Sequence, residues 1–100
     1  MAYIFYCKDH PDAATRRQES TPEHLAYIES IMDQVLMAGP LIDDDSDAFS
    51  GSCFIYDTDQ EQEAIQLLHG DPYYRAGIYA RVDSHRLRPA AGSWIGGKIW

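Results

Sequence analysis

Two segments of this 100-residue chain are apolar on both of their alternating faces, and no other feature restricts its fold as much. They are Ala2-Tyr3-Ile4-Phe5-Tyr6-Cys7 and Gly51-Ser52-Cys53-Phe54-Ile55-Tyr56. Successive side chains of a strand point to opposite sides of its sheet. Tyr3, Phe5 and Cys7 therefore share one face, with Ile4 and Tyr6 on the other. Likewise Cys53 and Ile55 oppose Phe54 and Tyr56. A sheet covered by helices on one side buries only one such face. The second face needs a cover, and a homodimer through the open sheet face supplies it. The intramolecular alternative is that the tail from Trp94 to Trp100 folds back over the sheet. The expectation is the dimer, with the tail at its rim.

Between these strands the pattern changes to helical spacing. Residues 8–20 are polar, contain Pro11 and read as a loop. Ser20 and Thr21 are candidate N-caps, Pro22 suits a first helical position, and Ser20-x-x-Glu23 has capping-box form. Leu25, Ile28, Ile31, Met32, Val35 and Leu36 then build an apolar helical face, which Gly39-Pro40 is expected to end. Leu41-Ile42 reads as a short strand, residues 43–47 as a solvated acidic turn, and residues 51–56 as a third strand. A second helix opens at Thr58-x-x-Glu61, buries Ala64, Ile65, Leu67 and Leu68, and stops at Gly70. One further turn over residues 71–76 precedes a fourth strand over 78–82, and a short strand is expected at Ile99-Trp100. The order β-α-β-β-α-β is that of an α+β, ferredoxin-like sandwich with both helices on one face of an antiparallel sheet.

The net charge of −8 is unevenly spread. Residues 1–74 hold 15 acids and 3 bases, and residues 75–100 hold 1 acid and 5 bases. An acidic body repels phosphate backbones, so no nucleic acid partner is expected. The basic tail is expected to pack against the acidic body of its own or a partner subunit. No apolar run approaches the ~20 residues of a membrane span. The opening segment lacks a basic leader and reads as a strand rather than a signal peptide. Cys7 and Cys53 stand singly in apolar surroundings, as reduced thiols of a cytoplasmic protein do.

Several residues carry possible chemistry. With a helix starting at Pro22, His24 falls in its opening turn, on the stripe of Ile28, Ile31 and Val35. A helix N-terminus disfavours imidazolium, which makes His24 a candidate neutral base. Asp71 precedes Pro72, the signature of an N-cap. A carboxylate has acceptor capacity both to cap and to orient a histidine. Arg17 could bind an anionic substrate group, or form a surface ion pair with Asp12 or Glu19. The Ser52 hydroxyl could donate to a substrate oxygen, but no second histidine is spaced to make it a nucleophile. Tyr73 and Tyr79 are candidate substrate-binding walls with polar tips, or core. Asp43, Asp45 and Asp47 have calcium-loop spacing, but Ala48 and Phe54 stand where glycine and glutamate belong. His10, His69 and His85 are scattered, and there is neither a phosphate-cradling glycine loop nor a CxxC pair. No metal and no cofactor are expected.

Taken in order, Arg17, Pro22-x-His24-Leu25, Ala38-Gly39-Pro40-Leu41, Phe49-Ser50-Gly51-Ser52, Asp71-Pro72-Tyr73 and Ala76-Gly77-Ile78-Tyr79 resemble the YciI-like (YCII-related) family. The resemblance runs from residue 2 to about residue 89 and leaves residues 90–100 as an extension of the same domain. It implies a ferredoxin-like subunit assembled as a dimeric α+β barrel, akin in fold to muconolactone-isomerase-type proteins. Most members have no assigned reaction, but a dehydrochlorinase acting on a chlorinated hydroxyquinol is among them. The catalytic feature proposed for the family is a His–Asp pair, which falls on His24 and Asp71. Where members often carry a second basic residue before the proline, this chain has Thr21. The expected function is a small cofactor-free lyase or isomerase taking a proton from a small polar or hydroxylated aromatic substrate. The alternatives are a non-catalytic dimeric module binding a metabolite or protein, and a cofactor-free oxygenase.

Overall fold

In the computed structural model, which describes residues 1–99, strand β1 (Ala2–Asp9) turns Tyr3, Phe5 and Cys7 into the core and leaves Tyr6 and Lys8 exposed. Strand β3 (Phe49–Tyr56) lies antiparallel to it, with Phe54 opposite Phe5 and Tyr56 opposite Tyr3. These side chains form an aromatic layer in which Tyr56 meets Phe5 edge-on at 5.7 Å between centroids. Strand β2 (Val35–Ile42) pairs with β3 and β4 (Tyr79–Leu87) with β1, giving the antiparallel order β2-β3-β1-β4. Helix α1 (Ala14–Ser30), helix α2 (Glu61–His69) and the single turn α3 (Pro72–Arg75) complete the sandwich. Ala64, Leu67 and Leu68 of α2, with Ile31 just after α1, bury against the aromatic layer. The molecule is the ferredoxin-like α+β sandwich that the order of elements implies.

The first helix and second strand begin earlier than the local signals indicate. Helix α1 starts at Ala14, so Pro22 is an interior residue and neither Ser20 nor Thr21 is an N-cap. Ala14, Arg16, Arg17, Gln18 and Glu19 are helix formers, and buried Ala13 and Arg17 anchor that end in the fold. Pro22 has no N–H to donate back along the helix. Beside it, Thr21 Oγ1 donates to the Arg17 carbonyl at 2.8 Å, within the turn that holds the proline. After Ser30 the chain makes a 3₁₀ turn over Met32–Gln34 and becomes extended at Val35. Val35 and Leu36 are thus strand residues, and Gly39-Pro40 lies inside β2 instead of ending a helix. A proline is accommodated there because β2 is an edge strand. Thr58 does not cap α2; its Oγ1 accepts from the N–H of Gln60, the residue just before the helix. Gly70 does end α2, and α3 follows as a single turn.

The face of the sheet away from the helices carries Ile4, Tyr6, Met37, Cys53, Ile55 and Leu87. Beyond β4, residues 91–92 (β5) and 97–98 (β6) form a small hairpin. Leu36, Met37 and Ile55 face residues 87–95 across a cavity of about 400 Å³, so the tail approaches one edge of this face. Trp94 itself is 79% exposed. Of the strand expected at Ile99-Trp100, Ile99 lies just past β6, and Trp100 lies outside the described residues.

Gly51 of β3 lies opposite Lys8 of β1, close against the β1 backbone. A Cβ there would land on the Cys7 carbonyl oxygen, a backbone atom that cannot swing away. Gly51→Ala is expected to destabilise the fold by about 1–3 kcal/mol, the usual range for overpacking. The measurement is the urea midpoint at constant slope; an unchanged midpoint would show that the strands have room to separate.

Candidate functional site

Helix α1 turns Arg17, Thr21, His24 and Ile28 to one side, at the spacing of successive helical turns. The single turn α3 packs on that side through Tyr73, which is buried. Arg17 and His24 stand about 10.5 Å apart along the axis, room for one aromatic ring between them. Tyr73 fills it, stacked on the His24 imidazole at 3.8 Å and 11°. The Arg17 guanidinium lies 4.7 Å from the centre of the same ring. Thr21 Oγ1 and the Tyr73 hydroxyl meet at 2.8 Å, locking the ring in the gap.

Asp71 is fully buried and caps α3 by accepting the Tyr73 N–H on Oδ1 at 2.9 Å. His24 Nδ1 lies 2.8 Å from that same oxygen and 3.0 Å from Oδ2. Facing two carboxylate oxygens, Nδ1 carries the proton and Nε2 the lone pair of the neutral ring. Nε2 has no protein partner among the described residues, and the ring lines a cavity. His24 is the eleventh residue of α1, far from the opening turn, so the helix dipole does not set its state; Asp71 sets its tautomer instead. The approach to Asp71 is also fixed. Tyr27, one turn beyond His24, donates its hydroxyl to the Leu67 carbonyl at 2.7 Å. That hydroxyl covers Gly70, where a Cβ would meet it at 2.6 Å.

Arg17 is not in a loop and does not pair with Asp12 or Glu19; Arg16 is the residue beside Asp12. Arg17 is buried in α1 and grips Asp9 with two bonds, Nε to Oδ2 at 2.8 Å and Nη2 to Oδ1 at 3.1 Å. Nη2 also donates to the Gly51 carbonyl at 2.8 Å and to Ser52 Oγ at 2.7 Å. Burial works against its charge, but the hydrogen bond and charge of Asp9 outweigh that, so its proton is held more firmly than usual. Nη1 has no hydrogen-bond partner among the described residues. Behind Ser52, the Tyr79 hydroxyl donates to Oγ at 2.9 Å. Burial keeps that phenol protonated far above the usual tyrosine range.

These residues enclose a cavity of about 240 Å³. Arg17, Thr21, His24, Ser52 and Tyr73 supply its polar lining. Leu25, Ile28, Ala38, Gly39, Pro40, Phe49 and Phe54 supply its apolar walls. His24, Arg17, Ser52 and Tyr73 line one cavity, with Asp71 directly behind His24. Tyr79 lies outside the lining and acts on it through Ser52. Asp9, Thr21 and Phe49 were not anticipated as parts of the site. No local motif marks Asp9, Phe49 stands in the Phe49-Ser50-Gly51-Ser52 segment of the resemblance without a role attached to it, and Thr21 carried the conflicting signature of an N-cap. Among the described residues no three histidine, cysteine or acidic side chains are grouped to hold a metal ion. In the acidic turn, Asp43 Oδ2 accepts from Ser46 Oγ at 2.8 Å.

The model of the YCII-related domain matches residues 1–87. The chain belongs to the YCII-related family. Protein YciI of Escherichia coli O6:H1 is 33% identical over 89 residues, covering 82% of this chain and 91% of that protein. An uncharacterised protein of Haemophilus influenzae is similar to the same extent. Among solved structures, 5-chloro-2-hydroxyhydroquinone dehydrochlorinase (TftG) from Burkholderia phenoliruptrix AC1100 superposes with a TM-score of 0.81 at 25% identity. The match covers 93% of this chain and 97% of that one, whose structure is a complex with 2,5-dihydroxybenzoquinone.

Removing one member of a buried ion pair strands the other. Arg17→Met is expected to cost about 3–5 kcal/mol in urea unfolding. The double variant Asp9→Asn/Arg17→Met should recover a large part of that loss. If the two single variants and the double variant prove additive, the pair is not coupled.

Proposed function

We propose that this protein is a cofactor-free enzyme of lyase or isomerase type, in which His24 removes a proton from a small hydroxylated ring compound. One observation carries the reading. Buried Asp71 engages Nδ1 of His24, while the rest of the ring faces a cavity of about 240 Å³ with Nε2 unengaged by any described residue. A binding module needs no oriented base in its pocket, whereas proton abstraction needs one. The bound dihydroxybenzoquinone of the TftG structure supports the ligand class, a single six-membered ring bearing oxygens.

In this mechanism a ring hydroxyl gives its proton to Nε2, and the electron pair of the broken O–H bond forms a carbonyl. The imidazolium, stabilised by Asp71, returns the proton to a ring carbon, so an enol becomes its keto tautomer with no net change of atoms. Where that carbon carries a halogen, the halide then leaves with its bonding pair and a second proton is lost, releasing one hydrogen halide. Arg17 Nη1 and Ser52 position the ring oxygens, and Tyr73 holds the imidazole plane. Acid–base action of this kind supplies about 10²–10⁴-fold, and positioning supplies the remainder. The functional unit is proposed to be a dimer joined through the sheet face of Ile4, Tyr6, Met37 and Ile55.

Proton NMR in D₂O, with a panel of hydroxylated and halogenated aromatics that includes 5-chloro-2-hydroxyhydroquinone, tests the chemistry. His24→Ala is expected to slow turnover or solvent exchange by about 10²–10⁴-fold with an unchanged circular dichroism spectrum. Asp71→Asn keeps an oxygen for the Tyr73 N–H but also presents an amide donor, so its rate should fall as well. Full activity in His24→Ala would end the proposal. For the assembly, sedimentation should give twice the 11.3 kDa chain mass. Ile55→Glu should return it to one chain, and a wild-type monomer would refute the dimer.

A further inference from the structure

The cavity beside His24 adjoins a second one. Arg17, Thr21 and Phe49 line both, and the second, of about 310 Å³, is otherwise bounded by Ala14, Gln18 and Ala48. The three shared residues border both spaces, and they are held unequally. Arg17 makes hydrogen bonds to Asp9, Gly51 and Ser52. Thr21 is fixed by the Arg17 carbonyl and the Tyr73 hydroxyl. The Phe49 ring rests on the Arg17 guanidinium, 5.6 Å from its centre, and is 54% exposed. It stands at the first residue of β3, where the register with β2 shifts. Of the three, Phe49 is the part of the wall that side-chain chemistry alone can remove.

We propose that Phe49 is a specificity-determining partition. It confines ligands to one ring beside His24, and without it the two cavities become one site for a two-ring hydroxyquinone lying across Arg17. The inference rests on the ring-binding reading of the first cavity. Arg17 suits the role because Nη1, which has no acceptor among the described residues, can serve a carbonyl oxygen at the junction.

Titration calorimetry with two probes, 2,5-dihydroxybenzoquinone and 2-hydroxy-1,4-naphthoquinone, tests it on wild type, Phe49→Ala and Phe49→Leu. Wild type is expected to favour the single ring. Phe49→Ala should move the ratio of the two affinities toward the naphthoquinone by about tenfold or more, the discrimination a hydrophobic wall commands. Phe49→Leu should fall between. Circular dichroism checks that both variants are folded, as a half-exposed position predicts. If wild type and Phe49→Ala bind the benzoquinone but the ratio stays put or moves the other way, the partition is refuted and the ring site stands. If wild type does not bind the benzoquinone, the ring-binding reading fails and the partition with it.

Discussion

The position of a single buried cation determines how this fold is put together. A guanidinium removed from water must find acceptors for its N–H groups and a counter-charge, or the fold loses several kcal/mol. Arg17 finds them on three different elements at once. Asp9 ends β1, Gly51 and Ser52 lie on β3, and the ring of Tyr73 comes from α3. Ser52 extends the connection to β4 through Tyr79. These contacts fix how far α1 slides and rotates over the sheet. His24 lies two turns further along the same helix, so its position follows from that rotation. The candidate base is placed by an ion pair it never touches.

The contact between His24 and Asp71 is structural before it is anything else. Asp71 Oδ1 caps α3 and meets the imidazole with the same atom. Capping requires the carboxylate to point at the Tyr73 N–H, and Tyr73 in turn forms the surface on which His24 stacks. The tautomer, the ring plane and the local helix are therefore consequences of one side chain. Tyr27 and Gly70 hold the backbone leading into it, where the absence of a Cβ lets the phenol lie close. Such economy suits a chain of 100 residues, whose thin core leaves little separate material to support a site.

The elements visible in the sequence were those fixed by local patterning. Strands β1 and β3, helix α2, the cap at Asp71 and the order of elements follow from alternation, helical period and turn chemistry. The boundaries of α1 and β2 did not, because Pro22 and Gly39-Pro40 carry ambiguous signals. A proline at a helix start and a proline inside a helix look alike until the preceding turn is known to be anchored, here by Ala13 and Arg17. A Gly-Pro pair after an apolar run fits a helix end as well as an edge strand, and only sheet order separates them. His24 was singled out through its place in the sequence and the family resemblance, but for the wrong electrostatic reason. Asp9 could not be found at all, since nothing local links it to a helix residue eight positions on.

The same ion pair bears on which ligands suit the cavity. Asp9 already balances the charge of Arg17, and the protein as a whole carries −8, so the site has little net attraction for an anion. A flat ring whose hydroxyl and carbonyl oxygens spread any charge over the π system fits apolar walls and a few donors better than the localised charge of a carboxylate or phosphate does. On the proposed chemistry, negative charge arises on a ring oxygen only as the proton leaves for His24. A hydrogen bond from Arg17 to that oxygen would then be stronger at the transition state than in the ground state. Pairing Arg17 with Asp9 thus limits how strongly the site holds its ligand at rest, while leaving a donor available at the moment charge develops.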